Sequence, residues 1–184
     1  MADREVLRMC LWLSVASVVL SFIAFWMDPV LNQDGMLYVH MARLVAIGDV
    51  AQAEAMHQWS YLSVALGNVA RFLSVDPLLI GIGYSALAGL LMQIFVFLLL
   101  LQYNGKHRWL AFLIAATFPA LADYRSDIIR GDGGWALLLG SMMFLLMWWR
   151  HGRLWSLMLA ISFAALAVLF RSELIVMMMV IAFL

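Results

Sequence analysis

The feature that most limits what this chain can fold into is a set of apolar runs too long for a small protein to bury. Met9–Met27 and Leu78–Leu101 carry no charged residue. A helix crosses a bilayer's hydrocarbon core with about 20 apolar residues, so each of these runs can span one unaided. Further runs lie at Trp109–Ala122, Trp135–Trp149, Leu154–Phe170 and Leu174–Leu184. The third and fourth are short, and fit tilted spans, a locally thinned bilayer or a hairpin dipping in from one side. The last holds 11 residues, which predicts an incomplete final helix or the N-terminal piece of a longer protein. Composition agrees: 12% of residues are charged, against about 25% in soluble domains. The expected fold is all-α, a polytopic transmembrane helical bundle forming a single domain over 1–184.

Arg4 and Arg8 ahead of the first run give it the look of a signal peptide. The run exceeds the roughly 7–15 apolar residues of such a segment, and no small-x-small cleavage site follows, so it reads as a retained first span. Cys10 is the single cysteine and cannot form an internal disulfide. Formal net charge is zero and no long basic tract occurs, which argues against nucleic acid as a partner.

Charge distribution sets an expected orientation. Arg4 and Arg8, Lys106 and Arg108 in the turn Tyr103–Arg108, and Arg150 and Arg153 after the fourth run share one side. By the positive-inside rule that side is the cytoplasm. The outer side then receives Asp28–Pro77, Asp123–Gly134 and Arg171–Glu173, with nine of the eleven carboxylates: Asp28, Asp34, Asp49, Glu54, Asp76, Asp123, Asp127, Asp132 and Glu173. Five arginines accompany them, so the outer face is mixed in sign.

The first outer loop, residues 28–77, is longer than a connection needs and helical in pattern. Asp34-Gly35 followed by Met36–Ile47 reads as a capped helix ended by Gly48. A second helix, from about Ala51 to Val75, carries Ser60, Ser63, Gly67, Arg71 and Ser74 at spacings of three and four. That narrow polar stripe suits an amphipathic helix in the membrane interface or against the bundle. Trp26, Trp59 and Tyr61 suit headgroup depth.

Three groups of outer residues can carry chemistry. Asp34 can cap a helix or act as a general base at the membrane surface, and Tyr38 stands one turn on. Between Asp123 and Gly134, three carboxylates and two arginines separate two short apolar runs. A solvated loop with weak surface ion pairs is one account of them. The other is a site at membrane depth, where charge is costly and usually functional. Asp127 and Arg130 can pair at i, i+3, leaving Arg125 and Asp132 for a ligand. Arg171 and Glu173 can anchor a helix end, or the arginine can present its planar fork of donors to a phosphate. His40 and His57 have no partner at metal-ligand spacing, so no structural metal is expected.

Taken in order along the chain, these elements resemble the N-terminal membrane region of GT-C superfamily glycosyltransferases, the family that includes aminoarabinose transferases and protein O-mannosyltransferases. The likeness rests on Asp34-Gly35-Met36-Leu37-Tyr38 with Ala42, on His57-Gln58-Trp59-Ser60-Tyr61, on Pro119, on Arg130-Gly131-Asp132 and on Arg171-Ser172-Glu173. The chain departs from the family in lacking an adjacent acidic pair in the first loop. The resemblance implies an inverting glycosyltransferase in the bacterial inner membrane with a cytoplasmic N-terminus. It would move a sugar from a polyprenyl-phosphate donor to a lipid, glycan or protein acceptor on the outer side. Asp34 would be the general base, and Tyr38, Asp127, Arg130, Asp132, Arg171 and Glu173 would bind substrate. No cofactor is implied, and a divalent metal is left open. Two other classes fit the same charges: a transporter or flippase-like subunit, and a non-catalytic assembly subunit.

The orientation is directly testable. In a Cys10→Ala background, cysteines introduced as Asp34→Cys and Asp127→Cys are expected to react with a membrane-impermeant maleimide applied from outside. Lys106→Cys is expected to stay unreacted until the membrane is opened. Labelling of position 106 in sealed cells would reverse the assignment.

Overall fold

The structure is a computed structural model that describes residues 4–27, 32–56, 60–103, 106–117, 127–128, 130–176 and 179. Among the described residues it is all-helical: α1 (Arg4–Met27), α2 (Gln33–Ile47), α3 (Val50–Ala55), α4 (Tyr61–Leu73), α5 (Pro77–Tyr103), α6 (Arg108–Thr117), α7 (Arg130–His151) and α8 (Leu154–Phe170). Among the described residues three helices are long and apolar enough to cross a membrane: Arg4–Met27, Pro77–Tyr103 and Gly131–His151. At about 1.5 Å rise per residue, their 24, 27 and 21 residues exceed the roughly 30 Å of a hydrocarbon core. The 17 residues of α8 and the 10 of α6 fall short of it.

Helix α5 is the central column and packs against α1, α2, α4, α6 and α7. On one side Met9 and Leu13 of α1 and Ala111 and Ala115 of α6 close around Phe97, all of them buried. On the other side α7 and α8 form an antiparallel hairpin. Ser141 Oγ donates to the Ala160 carbonyl at 2.9 Å, and the Phe163 ring lies against Gly140 and edge-on to Phe95.

Two ends follow from this packing. Arg108 Nη1 lies 3.1 Å from Glu5 Oε2, which joins the start of α1 to the start of α6. At the opposite end, α2 and α4 lie across the head of α5. Arg43 Nη2 meets both carboxylate oxygens of Asp76 at 3.2 Å, and Asp76 Oδ1 accepts from the Leu78 N–H at 2.7 Å. The Leu78 N–H, and after it the Arg43 guanidinium, hold the Asp76 carboxyl below its ordinary range. Both partners are about half exposed, so the pair is an orienting contact rather than a large source of stability.

Several sequence expectations change here. Helix α2 ends at Gly48 as its sequence predicts, with the glycine left-handed at φ 88°. Its cap, however, is Asn32, whose side chain accepts from the Gly35 N–H at 2.8 Å, and Asp34 lies inside the first turn. The single helix expected over 51–75 is two helices, α3 and α4, with residues 57–59, and so His57 and Trp59, outside the described set. Part of the polar stripe faces the bundle, as one of its two readings allowed, and part of it, Arg71 and Ser74, is exposed. Ser63 and Gly67 are buried against α2, while Tyr61, Phe72 and Leu73 are exposed. The run expected to start at Trp135 starts as a helix at Arg130, because hydropathy marks the solvent a residue prefers and not where its backbone begins to bond. Pro119 and most of 174–184 lie outside the described residues.

The α2–α4 seam has no room at Gly67. A Cβ there would stand 2.6 Å from the Ala42 carbonyl oxygen and 2.7 Å from Val45 Cβ. Backbone cannot swing aside as a side-chain tip can. Gly67→Ala gains up to about 1 kcal/mol of helix propensity, but overpacking of this kind costs about 1–3 kcal/mol. The expected outcome is a lower unfolding temperature in detergent. An unchanged or raised value would show that α2 and α4 are not held this close.

Candidate functional site

Four helices and residue 128 meet at the end that carries Asp76. Tyr38, Val39 and Ala42 of α2, Leu62 and Leu66 of α4, and Ile128 form one buried cluster. Leu78, Ile80 and Tyr84 of α5 and Phe170 of α8 pack on it. Ile128 is fully buried and fills the space beside Gly35 and Gly81. Its neighbour Asp127 is held through the backbone, where its carbonyl accepts from Ser85 Oγ at 2.7 Å.

The start of α7 is buried in this region, with Gly131, Asp132, Gly133 and Gly134 all shielded. A helix start leaves N–H groups without intrahelical partners. The Tyr84 hydroxyl accepts one of them, from Gly133 at 3.0 Å. Tyr84 is itself stacked on Phe170, the ring centroids 6.1 Å apart and the planes 3° from parallel. A Cβ on residue 133 would run into the Tyr84 hydroxyl, so this contact requires glycine.

Asp132 is 9% exposed in the first turn of α7. The positive end of the helix dipole favours a carboxylate there, and among the described residues it forms no ion pair. Asp127 and Tyr84 lie within electrostatic reach of it. This is a costly place for a charge, and it sets Asp132 apart from the exposed carboxylates around it.

The predicted site residues are therefore partly gathered. Asp34 is exposed at the start of α2, next to Gly35, which abuts the Ile128 backbone. Tyr38 is 4% exposed in the cluster, so Asp34 and Tyr38 point to different surroundings although they are one turn apart. Asp127 is half-buried. Arg171 and Glu173 pair with each other, Nε to Oε2 at 3.5 Å, both well exposed, and Arg171 Cβ lies beside Gly134. Arg130 opens α7, but its side chain, like Asp123 and Arg125, is outside the described residues, and so is the expected Asp127–Arg130 pair. Among the described residues no group of three or more His, Cys, Asp or Glu stands close enough to share a metal.

The sequence reading missed Tyr84, Ser85 and Ile128. The available signal was the cluster Gly81, Gly83, Tyr84, Ser85, small and polar residues interrupting an otherwise aliphatic run. No protein family matches the chain, and no curated protein or solved structure is significantly similar to it.

Tyr84→Phe keeps the ring stack and removes the acceptor for the Gly133 N–H. Stranding a buried donor costs about 1–3 kcal/mol, so the variant is expected to insert normally and unfold at a lower temperature in detergent. Wild-type stability in Tyr84→Phe would mean that α7 begins without need of this bond.

Proposed function

We propose that the chain is the membrane-embedded part of a glycosyltransferase. It takes a sugar from a polyprenyl-phosphate donor and passes it to an acceptor hydroxyl at the outer face of a bacterial inner membrane. The N-terminus and the Glu5–Arg108 end face the cytoplasm under the positive-inside rule.

The observation that carries this reading is the meeting of α2, residues 127–128, α7 and α8 at one end of the bundle. A lipid-linked donor keeps its reacting phosphate at the membrane boundary, so a catalyst for it needs polar groups there and apolar helices beneath. This end supplies an exposed carboxylate on a fixed helix start, Asp34, and a buried one on another, Asp132. Arg171 lies at the rim with its guanidinium only loosely engaged.

In this mechanism Asp34 accepts the proton of the acceptor hydroxyl as that oxygen attacks the anomeric carbon. The bond from the sugar to the donor phosphate breaks, and the electron pair leaves with the phosphate. Attack from the face opposite the leaving group inverts the anomeric centre. Arg171 and Arg130 are assigned to the donor phosphate, where a guanidinium matches the oxygens. Asp132, with Tyr38, Asp127 and Glu173, is assigned to sugar and acceptor contacts.

Asp34→Asn keeps the shape of the side chain and removes the base. General-base catalysis contributes about 10²–10⁴-fold, so transfer by the full-length protein in proteoliposomes is expected to fall by that factor with expression and insertion unchanged. Undiminished turnover in the variant would remove Asp34 from the mechanism.

A further inference from the structure

The end of the bundle opposite Asp76 holds an open cleft for which the transfer reaction has no use. Glu5 of α1, Lys106, His107, and Arg108, Trp109 and Leu110 of α6 line it, and its volume is about 480 Å³. Sites that take small ligands run to about 300–1,000 Å³, so a phosphodiester headgroup has room here. Lys106 and His107 are exposed, and Arg108 keeps 36% of its side chain accessible. Both lining cations are therefore within reach of a group seated in the cleft.

Charge favours an anion. Lys106 and Arg108 face a single lining carboxylate, Glu5. Arg8, three residues from Glu5 and so on the same side of α1, is exposed and adds a third positive charge. Glu5 does not quench them. It meets Arg108 at 3.1 Å with 49% of its own side chain exposed, and a pair that open to water is weak. A guanidinium has five N–H donors in a planar fork, enough to hold a phosphate oxygen beside Glu5.

The apolar surroundings decide which kind of anion. Trp109 and Leu110 are 62% and 56% exposed at the cleft itself. Leu113 and Ile114 continue the exposed row of Leu110 along α6, and Trp12 stands exposed on α1 two turns beyond Glu5. The two helices pack side by side through Met9, Leu13, Ala111 and Ala115. A charged cleft thus opens onto apolar helix surface that leads away from it. Free phosphate would use the charges and leave that surface bare. A molecule with a phosphate at one end and acyl chains at the other uses both, and Lys, Arg and Trp at headgroup depth suit it.

The geometry points to a binding site for the phosphate of an anionic phospholipid in the α1–α6 cleft, with Lys106 and Arg108 as its cationic contacts. The inference rests on the membrane reading alone. It requires nothing of the transfer reaction, whose residues lie at the other end.

The test uses the full chain in neutral maltoside micelles, titrated with dihexanoyl phosphatidylglycerol, dihexanoyl phosphatidylcholine or inorganic phosphate and read by calorimetry. Phosphatidylglycerol is expected to bind saturably, and the other two far more weakly. Lys106→Gln and Arg108→Gln are each expected to weaken it about fivefold, the worth of one cation beside anionic headgroups. Glu5→Gln and Arg108→Gln break the same ion pair, so any loss of fold is common to both. Their effects on binding are expected to be opposite, with Glu5→Gln tightening it. Arg43→Gln removes an exposed cation at the other end and is expected to bind as the wild type does. Wild-type affinity in Lys106→Gln and Arg108→Gln would overturn the site, as would weakened binding in Glu5→Gln or Arg43→Gln. Phosphatidylcholine binding as tightly as phosphatidylglycerol would overturn the requirement for an anion. Inorganic phosphate doing so would overturn the lipid assignment.

Discussion

The arrangement of the polar end depends on how the first turn of α7 is satisfied. Every helix start leaves donors that water usually takes, and water is scarce where a helix begins inside a membrane protein. The Tyr84 hydroxyl supplies an acceptor from α5, and the stack with Phe170 fixes the phenol's position. One residue further along α5, Ser85 holds the Asp127 carbonyl, which seats Ile128 between Gly35 and Gly81. Helices α2, α5, α7 and α8 are thereby placed relative to one another by two hydroxyls, one aromatic pair and one isoleucine.

The sequence disclosed the outlines of this and not its joints. The end of α2 was legible because Gly48 can take the left-handed conformation that closes a helix. Its start was not, because Asn32 and Asp34 are both good caps and local sequence does not say which side chain reaches the Gly35 N–H. The α4 stripe left open which side it faces for a related reason. Serine and glycine read as polar on a hydropathy plot, but in tightly packed membrane helices small residues mark seams where backbones approach. Gly67 against Ala42 is such a seam. The small and polar neighbours of Tyr84 mark it out, but its partner could not be foreseen from them, since the N–H it accepts from is 49 residues away.

The same distinction holds for the candidate site. Asp34, Asp132 and Arg171 stood out in sequence because charges beside apolar runs are conspicuous. Their grouping by element was legible, but the difference between an exposed Asp34 and a buried Asp132 was not. Burial follows from the start of α7 lying five residues before the first tryptophan of its run, with Arg130 and not Trp135 as the first helical residue. A loop reading treats all the carboxylates of 123–132 alike. The helix separates them.

The interior of the bundle bears on why chemistry is assigned to its end. Among the described residues the buried polar side chains, Asp132 apart, are neutral: Gln93 is 1% exposed in α5, Ser156 is fully buried in α8, and Ser141 bonds across from α7. A neutral bond such as that of Ser141 joins two helices at a modest gain of about 0.6 kcal/mol. A charge at the same depth would cost several times that. Asp132 is the exception nearest the interior, and a helix start would accept a neutral serine or asparagine with less desolvation. Retaining a carboxylate there makes sense where its charge meets a ligand's donors. On the proposed reading the chemistry sits at the boundary where the helix begins, and the apolar length below it holds the helices together.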